Sequence, residues 1–233
     1  MKRIHIEEPG AIETIIEWVR HEAVMLQLPS VYSLAAAPTA RGVEQLNLLK
    51  NRLSGKNYGT VMGRVDRFLG QAQTDAMPKY FREFDRLEEL DGAFVRTAFA
   101  SNDFNSAVIR NGTHQSLILD GIHRKLFVQA EENLSDMMDL DLWGGCEMTS
   151  LICTSANLSG DPLGSITDRK RAEAFALERG IGLFVTCEQD TNSAGSYPIF
   201  EFSGNEVSVQ RDGPGLDRLM TRIPASIQRV SAA

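Results

Sequence analysis

Short apolar runs alternate along this chain with stretches of helical period. That constrains it most, because a sheet covered by helices is the arrangement that buries both kinds of segment. Ile12, Ile15, Ile16 and Val19 follow the i, i+3, i+4, i+7 rule and predict a first helix over residues 9–21, with Pro9 near its start. Ala23 to Leu28 predicts a strand that Pro29 cuts. A second helix is expected after Thr39, with Val43, Leu46, Leu49 and Leu53 on one face and a stop at Ser54-Gly55. Tyr58 to Met62 reads as a strand. Residues 64–104 give the weakest pattern, although Phe81, Phe84, Leu87 and Leu90 suggest a helix in a charged stretch. Val108-Ile109 is predicted as a short strand, Ser116 to Ile122 as the start of a helix, and residues 123–143 as a surface insertion. Thr167 is placed to cap a helix that ends at Gly180, and Ile181 to Thr186 follows as a strand. Pro198–Phe202, Gly204-Asn205 and Val207–Gln210 read as a β-hairpin. The expectation is an α/β chain: one domain over residues 1–233, built on a twisted, open, mixed sheet flanked by helices.

A length of 233 residues suits one large domain, and 42% hydrophobic with 24% charged residues is ordinary for a soluble globular protein. No apolar run approaches the roughly 20 residues that span a bilayer. The N-terminus turns acidic at Glu7-Glu8 before an apolar core can form, so it does not read as a signal peptide. Cys146, Cys153 and Cys187 lack CxxC spacing and read as reduced, structural thiols of a cytoplasmic protein. A net charge of −7 argues against a generally basic surface for nucleic acid, but it allows a local positive cavity.

Chemistry concentrates where the apolar run Leu151-Ile152-Cys153 ends in Thr154-Ser155-Ala156-Asn157 and is broken by Gly160 and Pro162. In an extended segment Ser155 and Asn157 leave the same face, and a hydroxyl beside an amide can bind phosphate or carboxylate without supplying charge. Lys50 and Arg52 could supply it. Two positions apart inside a helix they diverge by about 200°, but at an unwinding final turn they can converge. The plainer reading is a solvated cationic helix end favoured by the macrodipole. Arg110 and Arg211 sit at predicted strand ends, where a lone arginine is usually solvated or ion-paired. Together these cations and the Ser155/Asn157 pair would make a site for a polyanion such as a nucleoside triphosphate. His114 reads as a hydrogen-bonded loop residue, Trp18 as helix packing, and Trp143 as an anchor for the 123–143 segment. Asp136, Asp139 and Asp141 lack the spacing of a calcium loop and read as a solvated acidic face.

The segments VYSLAAAPTARGVEQLNLLKNR and CTSANLSGDP resemble the YrdC/YciO family, whose signature is KxR followed far downstream by SxN. Here these are Lys50-Asn51-Arg52 and Ser155-Ala156-Asn157; Val31-Tyr32, Lys56, Arg110, His114 and Arg211 extend the match over roughly residues 20–220. The resemblance implies a YrdC-like fold with a large, electropositive central cavity. It also implies the activity of L-threonylcarbamoyladenylate synthases, which combine L-threonine, bicarbonate and ATP, release pyrophosphate and feed threonylcarbamoyladenosine formation in tRNA. On this resemblance Lys50 and Arg52 are the catalytic cations holding carboxylate, carbamate and phosphate. Thr154, Ser155, Asn157, Lys56, Arg110 and Arg211 bind the nucleotide and other anions, and Ser30 and Tyr32 belong to the amino-acid pocket. Mg2+ would arrive with ATP, held by its phosphates. The chain departs from the family at PT(D/E)TVYGL, which becomes Gln27-Leu28-Pro29-Ser30-Val31-Tyr32-Ser33-Leu34, and at KxRPxxKP, which lacks both prolines. A rewritten amino-acid pocket beside a retained anion site leaves two further readings open. One is a non-catalytic module for double-stranded RNA or tRNA, and the other is a member with a different small anionic ligand.

Overall fold

The computed structural model describes residues 1–53, 55–187 and 194–231, so the predicted stop at Ser54 lies outside the described residues. The chain runs through β1 (Lys2–His5), α1 (Ala11–Val19), β2 (Val24–Gln27), β3 (Tyr32–Ala36), α2 (Ala40–Lys50) and β4 (Gly59–Met62). Next come α3 (Val65–Gln71), α4 (Phe84–Glu88), β5 (Ala93–Ala98), β6 (Thr113–Ile118), α5 (Gly121–Asn133) and β7 (Ile152–Ser155). It closes with α6 (Arg169–Glu178), β8 (Leu183–Thr186), β9 (Ile199–Ser203), β10 (Glu206–Arg211), α7 (Leu216–Met220) and β11 (Gln228–Val230). The strands form one 11-stranded sheet in the order β1-β8-β2-β3-β7-β4-β6-β5-β9-β10-β11. It is mixed: β4 and β6 pair parallel, whereas β3 and β7, β4 and β7, and β5 and β6 pair antiparallel.

Alternation along the strands sorts the core into two layers. Tyr32, Leu34 and Ala36 of β3 and Ala93 and Val95 of β5 meet Val43 and Leu46 of α2, Phe68 of α3, Phe175 of α6 and Leu219 of α7. The opposite face carries Ala35, Phe94, Leu117 and Cys153, and there α1 (Ile15, Ile16, Val19) and α5 (Leu126, Phe127, Ala130) pack on the sheet. Each Val, Leu, Ile or Phe among these stabilises the fold by roughly 1.5–3 kcal/mol on burial. Five helices cover the first face and two cover the second. That asymmetry leaves part of the second face open.

Several local expectations are corrected. Ser116 and Ile118 belong to β6, which is hydrogen-bonded on both sides, and the helix starts only at Gly121, where φ is +66°. Val108-Ile109 is a loop held by Ser106 Oγ, which accepts from both amides, rather than a strand. α2 ends at Lys50, because Asn51 turns left-handed (φ 46°), so Leu53 leaves the apolar face and is 50% exposed. Phe84 opens α4 from solvent, while Leu87 is buried. α6 is capped by Asp168, whose carboxylate accepts from Arg171 N at 2.8 Å, and not by Thr167.

The segment 123–143 is not all surface: α5 is a core helix, whereas residues 135–142 lie exposed or half-buried. α5 buries His123, Leu126, Phe127, Ala130 and Glu131, and Trp143 is fully buried with Nε1 donating to Pro38 O at 3.1 Å. Glu131 accepts from Gly63 N (2.8 Å), Arg64 N (3.0 Å) and Ser150 Oγ (2.7 Å), so it ties α5 to the loop between β4 and α3. Gly63 is required there, since a Cβ would lie 2.6 Å from the Phe127 carbonyl carbon. Glu131→Ala should destabilise the protein by about 3 kcal/mol, because it strands buried donors that its carboxyl oxygens now satisfy. Urea denaturation checks this, and a loss below about 1 kcal/mol would remove the role given to this carboxylate.

Candidate functional site

A cleft of about 360 Å³ occupies the open part of the second face. Its floor comes from neighbouring strands whose outward residues are Gly59 of β4, Leu117 and Gln115 of β6, Phe94 and Arg96 of β5, Cys153 of β7 and Ile199 of β9. One wall is the turn after β7, and the other is the segment that follows α2.

The left-handed Asn51 decides how that wall is built. Asparagine tolerates this region better than other side chains, and here it interrupts the helical rotation between positions 50 and 52. Lys50 and Arg52 therefore both reach the cleft. Lys50 is only 2% exposed, which overturns the solvated helix end. Its Nζ donates to the main-chain oxygens of Ser155 and Asn157 (2.8 Å for the latter) and to Asn157 Oδ1 at 3.1 Å. Ser155 Oγ donates to the same Oδ1 at 2.7 Å, so the hydroxyl and amide do share a face. Ser159 N then donates to Lys50 O at 2.8 Å, closing the turn onto the helix end.

Arg52 Nη2 donates to Asn57 O at 2.6 Å, and its guanidinium lies 4.2 Å over the Tyr58 ring. Its Nε is buried without an acceptor among the described residues, and Ser159 Oγ is likewise unpartnered. A buried polar group left unpaired is costly, and both of these belong to residues that line the cleft. Lys56 and Arg110 line it from exposed positions. Arg211 is anchored by two donations to Tyr197 O, at 2.9 and 2.7 Å.

Thus Lys50, Arg52, Lys56, Arg110 and Arg211 converge with Thr154, Ser155 and Asn157. Ser30 and Tyr32 do not join them. Ser30 Oγ donates to Gly195 O at 2.9 Å, and Tyr32 points to the other face, against Phe184. Leu28, Val31 and Ser33 line the cleft in their place. His114 is a strand residue rather than a loop residue, buried on the opposite face between Phe99 and Trp143. Burial pushes its imidazole down to about 4, which leaves it neutral. Sequence reasoning missed Arg96, which bonds Gln115 Oε1 (2.6 Å) and pairs with Glu201 (3.2 Å). The usable signal was the alternation Phe94-Val95-Arg96, which sets Phe94 and Arg96 on one face.

Burial pushes the Lys50 ammonium down to about 7, and repulsion from Arg52 and Lys56 adds to it. A polyanion in the cleft favours the charged form, so its binding takes up a proton whenever Lys50 is neutral beforehand. Below pH 7 Lys50 is already charged; above it, affinity should decline. Tripolyphosphate should therefore bind roughly tenfold more weakly at pH 8.5 than at pH 6.5, whereas Lys50→Met should show only the ligand's own titration. Isothermal titration calorimetry of both proteins checks this, and equal pH profiles would remove Lys50 from the anion site.

No known family profile and no curated protein matches the sequence. Solved structures do match. Two structures of P. abyssi Sua5, one of them complexed with L-threonine, superpose with TM-scores of 0.68 and 0.66 at 15% and 17% identity. Each match covers 98% of this chain, which spans only 65% and 61% of the Sua5 chains. E. coli YciO matches with a TM-score of 0.63 at 14% identity, over 91% of this chain and 94% of its own. Full-length HypF in a phosphate- and nucleotide-bound form matches at 0.61 and 15% identity, over 88% of this chain and 29% of its own. The likeness is one of fold: a mixed α/β sheet flanked by helices, shared with the Sua5 and YciO structures.

Proposed function

We propose that the cleft binds ATP and that the protein joins an amino acid, bicarbonate and ATP into a carbamoyl-adenylate, releasing pyrophosphate, as a step toward carbamoyl modification of tRNA. One observation carries this reading. Lys50, Arg52, Lys56, Arg96, Arg110 and Arg211 line the cleft, and among the described residues no Asp or Glu does, in a chain of net charge −7. Three anionic reactants repel one another in water, and a preorganised cationic wall offsets that repulsion while it holds them in line. The likeness to a Sua5 structure complexed with L-threonine and to a phosphate- and nucleotide-bound HypF supports the same chemistry.

The amine of the amino acid adds to bicarbonate, and water leaves as the carbamate forms. A carbamate oxygen then attacks the α-phosphorus of ATP, and the bond to the bridging oxygen of pyrophosphate breaks. Arg52, with its unpartnered Nε, and Ser159, with its unpartnered hydroxyl, offer donors to the phosphate oxygens. Lys50 holds the Ser155–Asn157 turn in place and adds charge beneath it. No covalent protein nucleophile is needed, and burial pushes the Cys153 thiol up to about 12, which keeps it protonated at neutral pH. Mg2+ fits the lining only as an ion carried by the phosphates, because no carboxylate of the described cleft residues faces it. The cations sit in a concave cleft, which favours a small polyanion over a duplex RNA backbone.

Incubation with ATP, labelled bicarbonate and each amino acid in turn should release pyrophosphate and yield a labelled adenylate. Neither product with any amino acid would remove the catalytic reading. Arg52→Ala should weaken ATP binding at least tenfold, roughly the effect of one lost charge-assisted hydrogen bond. Unchanged affinity in fluorescence titration would move the nucleotide elsewhere.

A further inference from the structure

Part of the cleft floor is apolar, beside Arg96 and Gln115, and the Arg211 guanidinium lies 5.8 Å from the centroid of the Phe94 ring. Phe94 faces Leu117 across one strand boundary and Ile199 across the other, so the three side chains form one row over β6, β5 and β9. The Phe94 ring leans over Gly59, where a Cβ would lie 2.8 Å from Cε1, and Gly59 is the register partner of Cys153. Leu28 and Val31 close the row from the loop between β2 and β3. Ser30 Oγ donates to Gly195 O at 2.9 Å, and Ser33 Oγ donates to Thr154 O at 2.8 Å. Tyr197 Oη accepts from Ser30 N at 3.2 Å.

Resting on the carbamoyl-adenylate reading, we propose that the amino acid taken by this cleft is aliphatic, of valine to isoleucine size, rather than threonine. Its carboxylate meets the cationic wall, and its side chain lies on the Phe94–Leu117–Ile199 row under Leu28 and Val31. Valine and threonine have nearly the same shape and differ in a methyl against a hydroxyl. An apolar row therefore discriminates by desolvation, because a threonine hydroxyl laid on it would surrender its water partners. Such sites reject an added hydroxyl by up to about a hundredfold.

The test is equilibrium binding of L-valine, L-isoleucine and L-threonine to the full chain, saturated with a non-hydrolysable ATP analogue and followed by calorimetry. Valine or isoleucine should bind at least tenfold more tightly than threonine. Leu28→Thr, at a buried position of the same apolar cluster, should narrow or reverse that ratio in protein that circular dichroism shows to be folded. Threonine binding as tightly as valine, or no binding of either aliphatic amino acid at ~10 mM, well above the KM range usual for substrates, overturns the proposal. Because this measurement needs no turnover, its failure is separable from that of the activity. Selective valine binding without pyrophosphate release would sink the catalysis alone, and pyrophosphate release driven best by threonine would sink the apolar subsite alone.

Discussion

A buried ammonium holds the site together. Lys50 Nζ gathers the main-chain oxygens of Ser155 and Asn157 and the Asn157 side chain, and so fastens the end of α2 to the turn that leaves β7. Burying a positive charge is expensive unless oxygens replace its water, and here three do so. The same contacts orient the Ser155 hydroxyl and fix the entry of Arg52, so the two walls of the cleft are a single hydrogen-bonded unit. Burial and two cationic neighbours drive the ammonium toward discharge near neutrality. A guest with negative charge would oppose that discharge.

Topology explains how an acidic chain can build a cationic hollow. α1 and α5 cover only part of the second sheet face, and the remaining strands turn their outward side chains into the space left over. Arg96 and Arg211 come from strands, Lys50 and Arg52 from a helix end, and Lys56 and Arg110 from loops. Among the described residues no Asp or Glu lines the cleft, although Glu201 pairs with its Arg96; elsewhere Glu131 caps the loop after β4 and Asp136 pairs with Arg20.

Parts of this arrangement were legible in the residues. The 3.6-residue spacing of Ile12, Ile15, Ile16 and Val19 marked α1, and Thr39 marked the start of α2, where its Oγ1 accepts from Gly42 N at 3.0 Å. The hairpin through Gly204-Asn205 was equally clear. Local pattern failed at Ser116–Ile118, whose mixed polarity resembles a helix start until the strands on either side are known. It failed again for residues 123–143, where charged side chains mask the apolar stripe of α5, and for Tyr32, which the pleat turns away from the cleft.

The chain's residue order by itself determined an α/β architecture, the separation of KxR from SxN, and a hydroxyl–amide pair at a strand end, because these follow from periodicity and spacing within short windows. Tertiary structure alone decided that Lys50 is buried rather than solvated, that Arg96 belongs to the site, and that Leu28, Val31 and Ser33 line the cleft where Ser30 and Tyr32 were expected. Those outcomes depend on contacts across as many as 167 positions, such as Ser30 with Tyr197. No local pattern encodes which face of a sheet a distant segment will leave uncovered.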